Sequence, residues 1–140
     1  MKRMSYLLAI TITSVSAWVT VPVAAQEKPG SAVVSIYRVA PGKHLEFMKW
    51  MAAREASDRG LGIPVTQWYS HQTGDSWDYV AIAPDIDDAM SDKSDAAASK
   101  QGLATGMRAS LEFRQLMGSH TDTIAMGPYT AEQIVAEAGR

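Results

Sequence analysis

The chain contains no cysteine among its 140 residues, and this absence excludes several kinds of site. A disulfide framework, a thiol nucleophile, a cysteine-ligated zinc or iron–sulfur site and a lipid anchor on cysteine are all ruled out. A strong excess of charge is also lacking, because 13 basic residues against 15 acidic ones give a formal charge of −2. A nucleic-acid partner is therefore not indicated. With 46% hydrophobic residues, the chain fits one modest globular domain.

Residues 1–25 have the three parts of a secretory signal peptide. A basic start precedes an apolar stretch from Tyr6 to about Val21, and small residues follow. We predict cleavage between Ala25 and Gln26. The alternative is an uncleaved membrane anchor, since roughly 18 apolar residues nearly span a bilayer. Serine and threonine residues within the stretch weaken its hydrophobicity and favour cleavage.

Cleavage would leave a mature chain, residues 26–140, that we expect to form a single domain. It keeps 11 of the 13 basic residues and all 15 acidic ones, for a formal charge of −4. Such a surface argues against binding nucleic acid or anionic lipid by bulk charge. We predict a periplasmic or secreted protein that is not stably inserted in a membrane after cleavage.

The mature chain is predicted to follow the order β-α-β-β-α-β, with a short extra helix at the C-terminus. β-Branched and aromatic runs predict the strands, and apolar residues at helical spacing predict the helices. The predicted strands are 32–39, 65–73, 77–83 and 120–126, and the predicted helices are 43–59, 86–117 and 130–138. Gly102 and Gly106 weaken the second helix, so two pieces are expected there. Asp85 is its predicted N-cap, and Thr130 with Gln133 predicts a capping box for the last helix.

This order predicts a ferredoxin-like α+β fold with a four-stranded antiparallel sheet, in which the first and third strands are central. Both central strands are apolar on both faces, as in Val34-Ile36 against Val33-Tyr37-Val39. A face in contact with water would be polar. Because two helices cover only one face, we expect the other face to meet a second copy in a homodimer. The alternative is a monomer whose terminal helix covers that face.

The segment Ile36-Tyr37-Arg38-Val39 leads into Pro41-Gly42-Lys43 and Glu46-Phe47, and His120-Thr121-Asp122-Thr123 leads into the last strand. In these motifs, residues 30–130 resemble the dimeric α+β barrel superfamily, which holds the antibiotic-biosynthesis-type monooxygenases and the EthD-like and NIPSNAP-like domains. The resemblance implies the architecture. It does not imply one activity, since members include cofactor-free oxygenases, haem-handling enzymes, isomerases and lyases. No subfamily's catalytic motif matches residue by residue.

Three histidines are the first candidates for chemistry. His44 is expected to be solvated on the first helix. His120 and Asp122 share a strand face by the two-residue period, whereas His71 is predicted on the opposite sheet edge. His71, His120 and Asp122 are therefore weak catalytic candidates that would meet only across a dimer, where they would resemble a two-histidine, one-carboxylate set. We predict no metal site, and expect His120 to be hydrogen-bonded at the start of its strand.

A second candidate site surrounds the predicted hairpin. Its aromatic and polar residues predict a ligand pocket between sheet and helices, and the candidates are Arg38, Trp68, Tyr69, His71, Trp77 and Tyr79. The alternative is ordinary cross-strand packing of the aromatic rings. No glycine-rich phosphate loop follows a strand, so no nucleotide or other cofactor is predicted.

The sequence thus leaves the function open between two main hypotheses, and whether the protein is an enzyme is undecided. The first is an exported dimeric protein that binds a small apolar or aromatic ligand in an aromatic-lined pocket. The second is a cofactor-independent monooxygenase or related small enzyme, with His71 as a base beside Tyr69. A haem-handling role is the third alternative.

Overall fold

The computed structural model describes residues 29–140, so the predicted signal peptide and its cleavage site lie outside the described residues. These described residues form four strands and four α-helices. The strands are β1 (Gly30–Val39), β2 (Gln67–Ser70), β3 (Tyr79–Pro84) and β4 (Met117–Gly127), and the helices are α1 (His44–Asp58), α2 (Asp88–Lys100), α3 (Gly106–Leu116) and α4 (Ala131–Ala138).

The four strands form one antiparallel sheet in the order β2-β3-β1-β4. The first and third strands are therefore central and the second and fourth are edges, as the sequence predicted. Two strand–helix units that interleave in this order define the ferredoxin-like α+β fold. The predicted fold class is confirmed.

The hairpin between β2 and β3 is shorter than predicted, because β2 ends at Ser70. Beyond it, one further bond of the ladder runs from the His71 N–H to the carbonyl of Asp78, at 2.9 Å. The next backbone donor, the Asp78 N–H, bonds instead to the carbonyl of Tyr37 in β1, at 2.8 Å. His71 and Trp77 consequently lie in the connecting loop and not on strands.

The predicted second helix is divided into α2 and α3, as its glycines indicated. Gly102 has a φ of +76° and Gly106 one of +55°, both in the left-handed region that favours glycine. The predicted N-cap at Asp85 is wrong, because the side chain of Asp87 accepts the capping bond from the Met90 N–H at 2.8 Å. Asp85 instead accepts a hydrogen bond from the Ser31 hydroxyl at 2.6 Å. The capping box of Thr130 and Gln133 is confirmed.

The core lies between the sheet and the helices. Alternation along β1 turns Tyr37 and Val39 toward α1, where Phe47 is fully buried with 0% exposure. The Tyr37 and Phe47 ring centroids are 5.2 Å apart. Ala81 of β3 and Leu116 at the end of α3 complete the buried cluster. The helices thus cover the face of the sheet that carries Tyr37.

The opposite surface of the sheet, called here the open face, is less covered. It carries Ile36 of β1, Val80 and Ile82 of β3 and Tyr69 of β2, as the cross-strand register requires. Ile36 is 44% exposed although it lies in a central strand. In α4 every residue except Gln133 is exposed, so this helix does not cover the open face within its own chain.

The position of Phe47 predicts a large loss of stability on truncation. Phe47→Ala should lower the free energy of unfolding by about 3–5 kcal/mol, because it removes a fully buried ring and leaves a cavity. Leu45→Ala, in the same helix turn, is the matched control. Since Leu45 is 68% exposed, its truncation should change stability by less than about 0.5 kcal/mol. Urea unfolding followed by circular dichroism measures both, and equal losses would contradict this core.

Candidate functional site

A cleft of about 310 Å³ opens between the sheet and the helices, and it is called here the aromatic cavity. Four rings line it: Tyr37 and Trp68 from the sheet, and Trp50 and Phe113 from α1 and α3. Alanines of β3 form the floor beside them. The cavity therefore has the mainly apolar walls that are typical of small-molecule sites.

Local sequence periodicity explains why these side chains converge. Alternation in β1 and β2 turns Tyr37 and Trp68 to the helix face, where their rings stack with centroids 5.7 Å apart. Trp50 and Arg54 are four residues apart, so both point from α1 to the same side. Ala81 and Ala83 are the β3 residues of this face that line the cavity, and their small side chains leave room for it.

The polar groups at the rim of the cavity bond to the protein itself. The Trp68 indole donates to Glu55 Oε1 at 2.6 Å, and the Trp50 indole donates to Glu112 Oε2 at 3.2 Å. The Arg54 guanidinium lies 4.6 Å from the centre of the Trp50 ring and donates to the carbonyl of Ala104 at 2.8 Å. These bonds fix the orientation of the two indoles and leave ring surface as the main contact area inside.

Tyr37 supplies a phenol at the wall of the aromatic cavity. Burial raises the pKa of Tyr37, the hydrogen bond with the Ser35 side chain opposes this increase, and the nearby Asp122 carboxylate adds a smaller increase, so the pKa lies above its ordinary value. The phenol is therefore protonated at neutral pH. It can both donate and accept a hydrogen bond.

His120 and Asp122 form a pair beside this tyrosine. The two side chains share the helix face of β4, as predicted, and His120 Nε2 lies 3.5 Å from Asp122 Oδ2. The His120 ring stacks on Tyr37 at a centroid distance of 6.2 Å and meets Phe113 edge-on at 4.9 Å. The pair thus touches two residues of the cavity wall. Because β4 begins at Met117, His120 lies within the strand and not at its start.

The six predicted pocket residues are not brought together. Trp68 and Tyr79 face the helices, and of the six only Trp68 lines the aromatic cavity. Tyr69 lies on the open face. Arg38 donates to the carbonyl of Ser76 at 2.7 Å and also to its hydroxyl. As ligand contacts, the six residues remain a prediction.

The remaining histidines lie in separate places. His71 packs on Trp77 in the loop, with ring centroids 4.9 Å apart, and its buried Nε2 has no hydrogen-bond partner among the described residues. Because β2 and β4 are opposite edges of the sheet, His71 and His120 do not meet within one chain. His44 on α1 is half exposed and lies near Asp78.

Sequence reasoning did not select three of the four cavity rings as ligand contacts: Tyr37, Trp50 and Phe113. The sequence contained a signal for Tyr37 only. In the alternating pattern of β1, Tyr37 faces the helices, as Trp68 does in β2. The contributions of α1 and α3 depend on how those helices cross the sheet, and helical spacing alone does not specify that crossing.

Among residues 29–140, no cluster of three or more His, Asp or Glu side chains has an arrangement that could hold a metal ion. In the same part of the chain, no helix has both the length and the apolar character needed to cross a membrane.

Comparison with known proteins adds no family assignment, since neither a protein-family profile nor a curated protein matches the chain. Among solved structures, the protein At3g17210 of Arabidopsis thaliana is similar with a TM-score of 0.49 and 6% identity, over 73% of this chain and 98% of that one. An uncharacterized NIPSNAP domain protein from Burkholderia xenovorans has a TM-score of 0.45 and 14% identity, over 73% of this chain and 97% of its own. Strand order and pairing define this chain as a ferredoxin-like α+β protein.

Asp78, at the end of the loop between β2 and β3, contacts both β1 and α1. Its Oδ2 accepts a hydrogen bond from the Val39 N–H at 2.7 Å, and its Oδ1 lies 3.3 Å from His44 Nε2. Desolvation raises the pKa of Asp78, but the Val39 N–H, His44 and Arg38 together outweigh it. The pKa of Asp78 is therefore below its ordinary value.

A depressed pKa means that ionised Asp78 stabilises the folded chain above the unfolded-state pKa of about 3.9, and that this contribution is lost as pH falls through the folded-state value. Asp78→Asn should cost about 1–2 kcal/mol at pH 7. Its difference from the wild type should shrink below about pH 4. Urea unfolding at several pH values measures this, with Asp92→Asn, an exposed carboxylate on α2, as the control. A difference that does not vary with pH would contradict the assignment.

Proposed function

We propose that this chain is an exported homodimer that binds a small, neutral, aromatic ligand in the aromatic cavity. The observation that carries the proposal is the cleft of about 310 Å³ walled by four aromatic rings. Its volume is at the lower end of the range for small-molecule sites, about 300–1,000 Å³. A ligand of one or two fused rings fits such a space.

The electrostatics of the cavity favour a neutral ligand. Three charged residues line the cavity. Arg54 is held by the Ala104 carbonyl, the Trp50 ring and Asp95, Glu55 accepts from the Trp68 indole, and Asp58 accepts from the Ser94 hydroxyl. Each charge in the lining thus has a partner in the protein already, which favours a neutral ligand over an ion. The rings of Tyr37 and Trp68 offer surfaces on which a planar ligand can stack. The Tyr37 hydroxyl is hydrogen-bonded to the Ser35 side chain, and its remaining hydrogen-bonding capacity could serve a hydroxyl or carbonyl of the ligand. Phenols and quinones have this combination.

Export is supported by the character of residues 1–25, with their basic start, apolar stretch and small residues. The homodimer is supported by the open face, where Ile36 and Tyr69 are both exposed on an apolar surface. Soluble monomers rarely expose a large contiguous apolar patch. A second copy of the same face would remove this surface from water.

The ligand proposal predicts thermal stabilisation by 1-naphthol. At one hundred times its dissociation constant the probe should stabilise the chain 26–140 by about 2.7 kcal/mol. For a domain of this size that raises the Tm by roughly 10 °C. Thr66→Phe should weaken the affinity at least tenfold, because Thr66 lines the cavity and a ring there fills it. Differential scanning fluorimetry measures both.

Thr73→Phe is the matched control, since Thr73 is exposed in the hairpin loop and lies outside the cavity lining. It should bind 1-naphthol as the wild type does. If neither 1-naphthol nor a broader panel of phenols and quinones raised the Tm, or if both phenylalanine variants lost affinity equally, the aromatic cavity would not be the site.

The dimer proposal predicts that the chain 26–140 has twice the monomer mass by light scattering at micromolar concentration. Ile36→Lys should dissociate the dimer or make it aggregate, because it places a charge on the open face. Tyr37→Lys should instead unfold the chain, because Tyr37 is buried under α1. Leu45→Lys, on an exposed helix surface, should leave mass and fold unchanged. A wild-type chain that stays monomeric at high micromolar concentration would rule the dimer out.

A second function, cofactor-independent oxygenation, is favoured by the His120–Asp122 pair. A base beside an apolar cavity could remove a proton from the ring CH₂ of an anthrone, the keto tautomer of an electron-rich phenol, and the anion then reacts with oxygen. In the balanced reaction a ring CH₂ becomes a carbonyl, one oxygen atom enters the product, and the other leaves as water with the two hydrogens. His120 is the better candidate base than His71, because it packs against Tyr37 and Phe113 of the cavity wall. His120 does not itself line the cavity, so this function requires the substrate to reach it at the edge of that wall.

Oxygen uptake with anthrone tests this second function. His120→Ala should slow uptake at least a hundredfold, while His71→Ala in the loop should leave it unchanged. Equal rates in all three proteins would remove His120 from the reaction. Absence of uptake by the wild type would leave ligand binding as the function.

A further inference from the structure

The C-terminal helix α4 has an apolar side that its own chain does not cover. At 100° per residue, Ala131, Ile134, Val135 and Ala138 lie side by side, and Glu132, Gln133, Ala136 and Glu137 form the other side. Ile134 is 56% exposed and Val135 is 71% exposed. The first four residues are called here the apolar stripe of α4.

An isolated helix of this length is not stable in water. It has eight residues, whereas isolated helices shorter than about 12–15 residues are marginal even in favourable sequences. The capping box on Thr130 fixes where the helix begins, but it contributes only about 1 kcal/mol. An amphipathic helix of this kind gains most of its stability by packing its apolar side on another surface.

A suitable surface lies at one end of the open face. A groove of about 500 Å³ lies there. It begins at Pro64 and Val65, just before β2, and crosses the sheet over Ile82 and Val34. It ends at Pro128, just after β4. It is lined mainly by apolar side chains. Val65 is 71% exposed. This surface is called here the end groove.

Dimer geometry brings α4 of one copy to the end groove of the other. Near the start of β1, Ala32 pairs with Pro84 of β3 and with Ala125 of β4. In the same part of β3, Ile82 pairs with Gln67, the first residue of β2. The start of β2 and the end of β4 therefore lie at the same end of the sheet. If two open faces meet about a twofold axis parallel to the strands, β4 of one copy lies over β2 of the other. The chain leaving Pro128 then emerges over the partner's end groove.

The open face alone gives a dimer interface at the small end of the range. Four strands about 4.8 Å apart, over a ladder of six residues at about 3.3 Å, have a footprint near 400 Å². Two copies thus cover roughly 800 Å² of projected area, and the accessible surface that they bury is larger. Stable interfaces bury about 1,200 Å² or more of accessible surface. A helix of eight residues covers about 120 Å². Two such helices and the two surfaces beneath them add about 480 Å² of projected area, so the arms enlarge the interface by more than half.

We propose that α4 is an exchanged arm, which packs its apolar stripe into the end groove of a second copy of this chain. The inference rests on the homodimer of the proposed function and adds to it the segment and the surface that complete the interface. Each copy supplies one arm and one groove, so the exchange closes on itself as a twofold dimer and leaves no groove free to extend the assembly.

Disulfide trapping tests the exchange directly, because the chain has no cysteine of its own. Val135→Cys combined with Val65→Cys should give a covalent dimer as the main product when the chain 26–140 is oxidised and run on a non-reducing gel. Ala136→Cys with Val65→Cys is the matched control, since Ala136 lies on the polar side of α4, and it should cross-link several-fold less. An intrachain disulfide, or no disulfide, would overturn the arm exchange.

Charge placed on the arm gives an independent readout. Val135→Asp should raise the dissociation constant of the dimer at least tenfold, and Ala136→Asp should leave it within twofold of the wild type. If the wild type is a dimer, the Val135→Cys/Val65→Cys variant does not cross-link between chains, and both aspartate variants match the wild type, the arm exchange fails and the homodimer stands. If the wild type is a monomer, the homodimer fails as well.

Discussion

The alternation of side chains along β1 is the constraint on which the rest of the structure depends. β1 is a central strand, and its successive side chains point to opposite faces of the sheet. Tyr37 therefore faces the helices and is buried, whereas Ile36 faces away from them. Tyr37 then meets Phe47 of α1, and this contact sets where the helix layer lies on the sheet. A one-residue shift of register would exchange the two faces and bury the Arg38 charge in the core.

The same alternation produces the aromatic cavity. Large rings at Tyr37 and Trp68 stand next to small side chains at Ala81 and Ala83 on one face, so the helices rest on the rings and the space above the alanines stays open. Indole hydrogen bonds to Glu55 and Glu112 hold the walls in place. The cavity is therefore a consequence of packing large beside small residues in a layer that the helices cannot fill.

Patterns of neighbouring residues predicted the fold well, but they did not select most of the rings that line the aromatic cavity. The strand order and the break at Gly102 and Gly106 followed from propensity, periodicity and turn residues, which act over a few positions. The ends of the hairpin were misjudged because the Asp78 N–H bonds to Tyr37, a partner 41 residues away. The cavity combines side chains from β1, β2, α1 and α3, and their meeting depends on helix crossing, which the sequence pattern leaves undefined.

A crystal structure of the chain 26–140 purified without added ligand tests the central claim most directly, namely that one face of β1 encloses a ligand cavity and the other meets a second copy. The account predicts a twofold dimer in which Ile36 and Ile82 are buried against the partner, with electron density for a small planar molecule between Tyr37 and Trp50. A structure in which the open face contacts only solvent, and the aromatic cavity is collapsed by a shift of α1 onto Ala81, would contradict it.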